Sequence, residues 1–214
     1  MDQIDTLSGH NSLQEWLEAI GAPNATPAGG SAAALAAALA ASLVAMVAGL
    51  TTRREKYAAV HEHAQAALEL AEKLRTELLD LAMEDAITVA EYLDALTLPQ
   101  GTEFERTARE AAKRVTLHEA ARVQVELLHR AAEVVDLAES MVGSGVATAI
   151  GDAATASFLA GATSRSAWWS VRSNLKATGH PEEGRFLMET ADATLRRVVA
   201  AEQRVGELLR ERLG

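Results

Sequence analysis

The sequence predicts an all-α protein, an up-and-down bundle of five to six long helices around an Ala-rich central helix, in a single domain over residues 1–214. Three observations predict it. The chain is 49% hydrophobic but only 4% aromatic, so Ala and Leu must fill the interior, which suits closely packed helices better than a β-sandwich. Apolar residues recur at helical spacing from end to end, and no segment alternates with a period of two. At 214 residues the chain is long enough to bury a sizeable core.

The first helix is expected from near Asn11, with Gln14 three residues on, and with Leu13, Trp16, Leu17 and Ile20 on one apolar face. Gly21 and Pro23 end it. The second is the run from Ala32 to Leu50, which carries no charged residue. Such a run is long enough to span a bilayer. Ten of its residues are Ala, however, and Ala contributes little to insertion. It reads as a helix apolar all round at the centre of a bundle, outside any membrane.

A third helix is expected from about Arg54 to Leu96. Val60, Ala64, Ala67, Ala71, Leu74, Leu78 and Leu81 follow a strict 4-3 spacing, an apolar seam. The next position is Asp85, and one heptad further lies Tyr92. A carboxylate on a buried seam is costly unless paired or protonated, so Asp85 is either a structural hydrogen-bonding residue or a functional one. Glu84 beside it points to solvent. Leu98-Pro99-Gln100-Gly101 breaks the chain. The fourth helix starts at Thr102, with Glu105 completing a capping box, and runs past Leu127 and Val134 towards Met141. The fifth covers Ala147 to Ala177, with Asp152, Ala156, Leu159, Thr163, Ser166, Ser170 and Asn174 along one unusually polar face. The sixth runs from Pro181 to Leu213 and turns Leu195, Val198, Val199, Val205, Leu208 and Leu209 inward.

Charge and composition exclude several classes of function. A net charge of −10 argues against general nucleic-acid binding. The absence of Cys removes disulfide and thiolate chemistry and accords with a cytoplasmic protein. Met1-Asp2-Gln3-Ile4-Asp5 is acidic and has no signal-peptide pattern. His118 and His129 lack a partner at metal-ligand spacing, so no metal is expected. What stands out is Pro27-Ala28-Gly29-Gly30-Ser31. Ser31 is placed to cap the central helix, and Gly29 and Gly30 allow a ligand to approach the helix N-terminus, where unpaired N–H groups favour an anion.

In order and spacing these pieces resemble the cyclodeaminase family, which comprises the C-terminal half of formiminotransferase-cyclodeaminase and its stand-alone bacterial relatives. The resemblance covers nearly the whole chain. It rests on Thr26-Pro27-Ala28-Gly29-Gly30-Ser31-Ala32-Ala33-Ala34, Met46 to Thr51, Lys56-Tyr57, Glu84-Asp85-Ala86, Leu98-Pro99 with Thr102-Glu103, Gly151-Asp152-Ala153, and Ser170 to Leu175. Where the family has three glycines, the first is Ala28. Val146, Gly151 and Ser170 stand where it often carries Asn, Ser and Asn.

The resemblance implies a tetrahydrofolate one-carbon enzyme working by general acid/base catalysis without metal or redox cofactor. One such reaction closes 5-formiminotetrahydrofolate to 5,10-methenyltetrahydrofolate with loss of ammonia; the other hydrolyses the methenyl bridge to 10-formyltetrahydrofolate. The alternative is a non-catalytic helical homodimer that binds a folate-like or other anionic ligand. Asp85, Asp152 and Asn174 are the candidate catalytic residues. Gly29, Gly30, Ser31, Tyr57, Ser170, Arg172 and Lys176 are the candidate substrate contacts, Arg172 or Lys176 meeting the glutamate tail. On one continuous helix, Asp152 and Asn174 are about 33 Å apart. The Gly29–Ser31, Asp85, Asn174 group and the Tyr57, Asp152 group therefore fall at opposite levels, and an antiparallel homodimer would bring them together.

Overall fold

The computed structural model describes residues 11–214; the acidic start at Met1–Asp5 lies outside them. Six α-helices follow in order: α1 (Leu13–Gly21), α2 (Gly29–Thr52), α3 (His61–Thr97), α4 (Glu103–Ser144), α5 (Ile150–Ala177) and α6 (Arg185–Leu213). Short 3-10 turns over Glu55–Val60, Ala147–Ala149 and Pro181–Gly184 lead into α3, α5 and α6. No strand occurs among the described residues. At 42 residues, α4 is about 63 Å long and forms the spine on which α5, α3 and α6 pack.

The Ala-rich helix is central, packed against α3, α5 and α4. Ala34, Ala37, Ala41 and Ala48 are fully buried, since small side chains let neighbouring backbones come close. Its length and apolarity would also allow it to cross a membrane. Its inner face is instead used up inside the bundle, and only Leu39 and Met46 along its outer face are largely exposed. The seam on α3 is buried from Ala64 through Leu81 and ends on buried Asp85. Leu74 and Leu78 from α3 and Leu127 and Leu128 from α4 are among the largest sealed side chains of the core, each contributing about 1.5–3 kcal/mol of burial.

Several expectations need correcting. Ser12 with Glu15 forms the capping box of α1, displacing Asn11 and Gln14. Trp16 is its one buried residue; Leu13 and Leu17 are 55% and 61% exposed, because this short helix lies on the surface of the bundle. Ser31 does not cap α2: the cap is Ala28, without a side-chain bond, and the Ser31 hydroxyl points to α3. Arg54 precedes a 3-10 turn, so α3 starts only at His61. On α6, Val199 is 37% exposed. The Thr102–Glu105 capping box at the start of α4 stands as expected.

Candidate functional site

A cleft of about 270 Å³ opens where the start of α2 meets α3, α4 and α5. Gly29 and Gly30 form its floor, Asp85, Thr88 and Tyr92 come from α3, Leu117 and Gln124 from α4, and Ser170, Ser173 and Asn174 from α5. The loop before α2 is clipped to α3 by the Thr26 hydroxyl, which donates to the Ala86 carbonyl at 3.2 Å. The far side is fixed by Thr163 on α5, which donates to the Ala33 carbonyl at 2.8 Å. Two helices, α3 and α5, are thereby registered against the N-terminus of α2.

Asp85 lies at the centre, 7% exposed. Gln124 Nε2 donates to its Oδ1 at 2.6 Å, and the Ser31 hydroxyl is 2.9 Å from its Oδ2. That hydroxyl is also 2.9 Å from the Ala82 carbonyl oxygen. A hydroxyl has one proton to give. When it donates to Ala82, the remaining contact is satisfied by a protonated Asp85 donating to Ser31; when Asp85 is ionised, the hydroxyl turns towards the carboxylate. Burial pushes the Asp85 carboxyl above its usual value, against the lowering effect of the Ser31 and Gln124 hydrogen bonds. The site thus holds a carboxyl that can be stored neutral and has hydrogen bonds ready for its ionised form.

Close approach explains Gly30. A Cβ there would stand 2.1 Å from Asp85 Oδ1 and 2.3 Å from Gln124 Nε2. Nothing lies within 4 Å of a Cβ at Gly29, which is exposed at the cleft mouth. The first backbone N–H groups of α2 have no partner within the helix, as at any helix start. They give the floor a partial positive charge.

The structure therefore brings together Asp85, Gly29, Gly30, Ser31, Ser170 and Asn174. Tyr57 and Asp152 lie elsewhere. The Tyr57 hydroxyl accepts a hydrogen bond from Ala147 N–H at 3.0 Å, beside Thr51, whose Oγ1 accepts from Val146 N–H at 3.0 Å. Both hold the turn between α4 and α5. Asp152 is exposed in the first turn of α5, about 33 Å along that unbroken helix from Asn174. Arg172 and Lys176 are exposed on α5 and do not line the cleft; Arg172 stacks on Trp168, 5.7 Å from the ring centre. Glu84 is turned outward and paired with Arg122 at 2.6 Å. Among the described residues, no three His, Asp or Glu side chains gather in a way that could ligate a metal. A second cleft, of about 500 Å³, lies about one turn further along α4 and beyond the end of α5, with Arg106, Arg114 and His180 beside Glu103 and Glu110.

Gln124 was not singled out from the sequence, although the signal was present. Leu117, Ala121, Gln124, Leu128, Ala131 and Val135 repeat the 4-3 spacing on α4, and all are buried. A polar residue on that seam carries the same information as Asp85 on its own.

Comparison with known proteins agrees with this architecture. The family model of formiminotransferase-cyclodeaminase matches residues 12–192. Over 207 residues the chain is 30% identical to a methenyltetrahydrofolate cyclohydrolase of Methylorubrum extorquens, covering 97% of this chain and all of that one. The crystal structure of a formiminotetrahydrofolate cyclodeaminase from Thermotoga maritima superposes with a TM-score of 0.86 at 22% identity, over 96% of this chain and 98% of that one; it shares the fold. With most of its length matched and its helices in the same arrangement, the chain belongs to the formiminotransferase-cyclodeaminase family.

Proposed function

We propose that the protein is a tetrahydrofolate one-carbon enzyme that hydrolyses 5,10-methenyltetrahydrofolate to 10-formyltetrahydrofolate, with Asp85 as the acid/base group. The observation that carries this reading is Asp85 itself, buried on the floor of an otherwise uncharged cleft and held by Ser31 and Gln124. The name of the full-length relative supports hydrolysis.

Hydrolysis forms a C–O bond at the carbon between N5 and N10 and breaks its bond to N5. Ionised Asp85 takes a proton from the attacking water as the cationic bridge becomes a neutral tetrahedral adduct. The neutral acid then hands that proton to N5 as the C–N5 bond breaks. The adduct's hydroxyl loses its proton to solvent and becomes the formyl oxygen, so one proton is released per turnover. A carboxyl raised towards the working pH serves both steps. Gly29 and Gly30 admit the ring system, their N–H groups facing a carbonyl or other electron-rich edge, and Ser170 and Asn174 offer polar contacts from the opposite wall. The acidic tail follows the groove towards Arg114 and His180, in place of Arg172 or Lys176. A longer glutamate tail should then lower KM in the native protein but not in Arg114→Gln.

Cyclodeamination is the second reading, favoured by the family's name. It passes through the same tetrahedral carbon, with the proton going to the departing ammonia. The methenyl chromophore separates the two. Its accelerated loss from 5,10-methenyltetrahydrofolate is the expected result; its appearance from 5-formiminotetrahydrofolate would assign cyclodeamination. No change in either assay with folded protein would refute both and leave the ligand-binding homodimer.

We also infer a twofold homodimer. Leu35, Leu39, Leu43 and Met46 form an apolar stripe along the outer side of α2, with Leu39 52% and Met46 42% exposed. A charge-free stripe of this kind suits self-association. An antiparallel arrangement would carry the partner's α5 start, with its Asp152, towards the cleft.

A further inference from the structure

We propose that Gln124 is a substrate-reading and positioning residue: its Nε2 fixes the Asp85 carboxyl, and its Oε1 accepts a hydrogen bond from an O–H or N–H brought into the cleft. This rests on the folate reading above for the identity of the ligand. Gln124 is 2% exposed, and its Oε1 has no hydrogen-bond partner. A buried amide oxygen left unpaired is costly and calls for a partner that arrives later. Among the described residues, two other buried side-chain oxygens lack hydrogen bonds, but they differ in kind. Glu77 Oε2 is 3.0 Å from Arg130 Nε in an ion pair, and Ser157 is fully buried and does not line the cleft.

Packing does not explain a glutamine here. Its seam neighbours Ala121, Leu128 and Ala131 are apolar and buried, and Leu would fill the same place. The ionised carboxylate accepts and cannot donate, so Nε2 faces Asp85 and Oε1 faces away; in the neutral acid the proton sits on Oδ2 towards Ser31 and Oδ1 still accepts from Nε2. Both carboxyl oxygens are already engaged, Oδ1 by Gln124 and Oδ2 by Ser31. Oε1 is therefore the unused buried side-chain acceptor of the cleft. It requires a donor, which discriminates against ligands that present only an acceptor or a methyl group at that point. Two donors fit the chemistry: the water that attacks the bridge, or a ring N–H of the reduced pterin. The other titratable groups around Asp85 are Tyr92 in the same cleft and the Glu84–Arg122–Glu119 ion pairs outside it.

The test is Gln124→Met, which keeps length and removes both hydrogen-bonding ends, with Gln124→Glu as the variant that keeps an acceptor. Thermal unfolding confirms that each is folded. In Gln124→Met, kcat/KM for 5,10-methenyltetrahydrofolate should fall about 10- to 100-fold, and the Asp85 limb of the pH profile should move up because a donor to the carboxylate is lost. Gln124→Glu should recover part of the loss at low pH. Calorimetric binding of 5-formyltetrahydrofolate, a non-reacting probe, separates the donors. Unchanged affinity with lower kcat assigns Oε1 to the attacking water, and weakened affinity assigns it to the ring N–H. Unchanged kcat/KM, affinity and pH limb in Gln124→Met would overturn the proposal. If the native protein acts on neither folate, the folate reading fails by itself. The Asp85 carboxyl, followed by carbon NMR in the unliganded protein, then decides: a titration unmoved in Gln124→Met refutes the positioning role.

Discussion

Replacing Gly30 by Ala should disable the cleft, whereas the same change at Gly29 should leave the fold intact. A Cβ at Gly30 would sit 2.1 Å from Asp85 Oδ1, 2.3 Å from Gln124 Nε2 and 2.5 Å from Asp85 Cγ. Asp is too short to swing clear, and its carboxyl is pinned between Ser31 and Gln124. Forcing a methyl group into a packed site costs about 1–3 kcal/mol, and a broken buried hydrogen bond about as much again. Ala returns less than about 1 kcal/mol of helix propensity. The net loss is about 2–4 kcal/mol, which for a chain of this size lowers Tm by on the order of 10 °C. Turnover should fall by about 10²-fold, because a catalytic group displaced by an ångström loses its alignment. Gly29 has open space and no positive φ, so Gly29→Ala should leave Tm the same or slightly higher. Scanning calorimetry and the methenyl absorbance assay on both variants give the answer. A Gly30→Ala protein with native Tm and native turnover would refute the packing argument, and with it the placement of Asp85 and Gln124 against α2.

Two further outcomes follow from the same geometry. Because the Asp85 pKa is raised in the folded state, the native protein binds more protons than the unfolded chain between the ordinary Asp value and the raised one. The Asp85 contribution to stability therefore falls as pH rises through that window and levels off above it, with the same sign as that of Asp136, whose carboxyl is also raised by burial. Asp85→Asn should make this slope shallower in urea titrations at stepped pH while reducing turnover by about 10²- to 10⁴-fold; an unchanged slope would assign it to other groups, Asp136 first. If the partner's Asp152 completes the cleft, Asp85→Asn and Asp152→Asn are each inactive alone, but mixed subunits regain roughly a quarter of native activity through the one intact site of each heterodimer. Full activity in Asp152→Asn would remove that residue from the chemistry.

The sequence made the helices legible because their signals are local. The 4-3 seam from Ala64 to Leu81, the Thr102–Glu105 box and the Leu98–Gly101 break each depend on neighbours in the chain. Asp85 was legible for the same reason, as a charge on an apolar seam. Ser31 was misassigned because an N-cap and a donor to α3 look identical until α3 is placed beside it. Leu13 and Leu17 obeyed the helical period yet stayed exposed, since periodicity shows that a face exists without showing what covers it. Tyr57 needed knowledge that Ala147 N–H would lie within reach of its hydroxyl, ninety residues later in the chain.

The alanines of α2 have a consequence for how this cleft can change. Alanine has no side-chain torsion, so the helix behind the floor has a diameter set by backbone alone. Ala34, Ala37, Ala41 and Ala48 cannot shift rotamer to widen or narrow the space between α3 and α5. New specificity in this scaffold must come from the walls, at Thr88, Leu117, Ser170 and Ser173, where side chains differ in size and polarity. The floor acts as a fixed gauge, against which the carboxyl keeps its position while the walls vary.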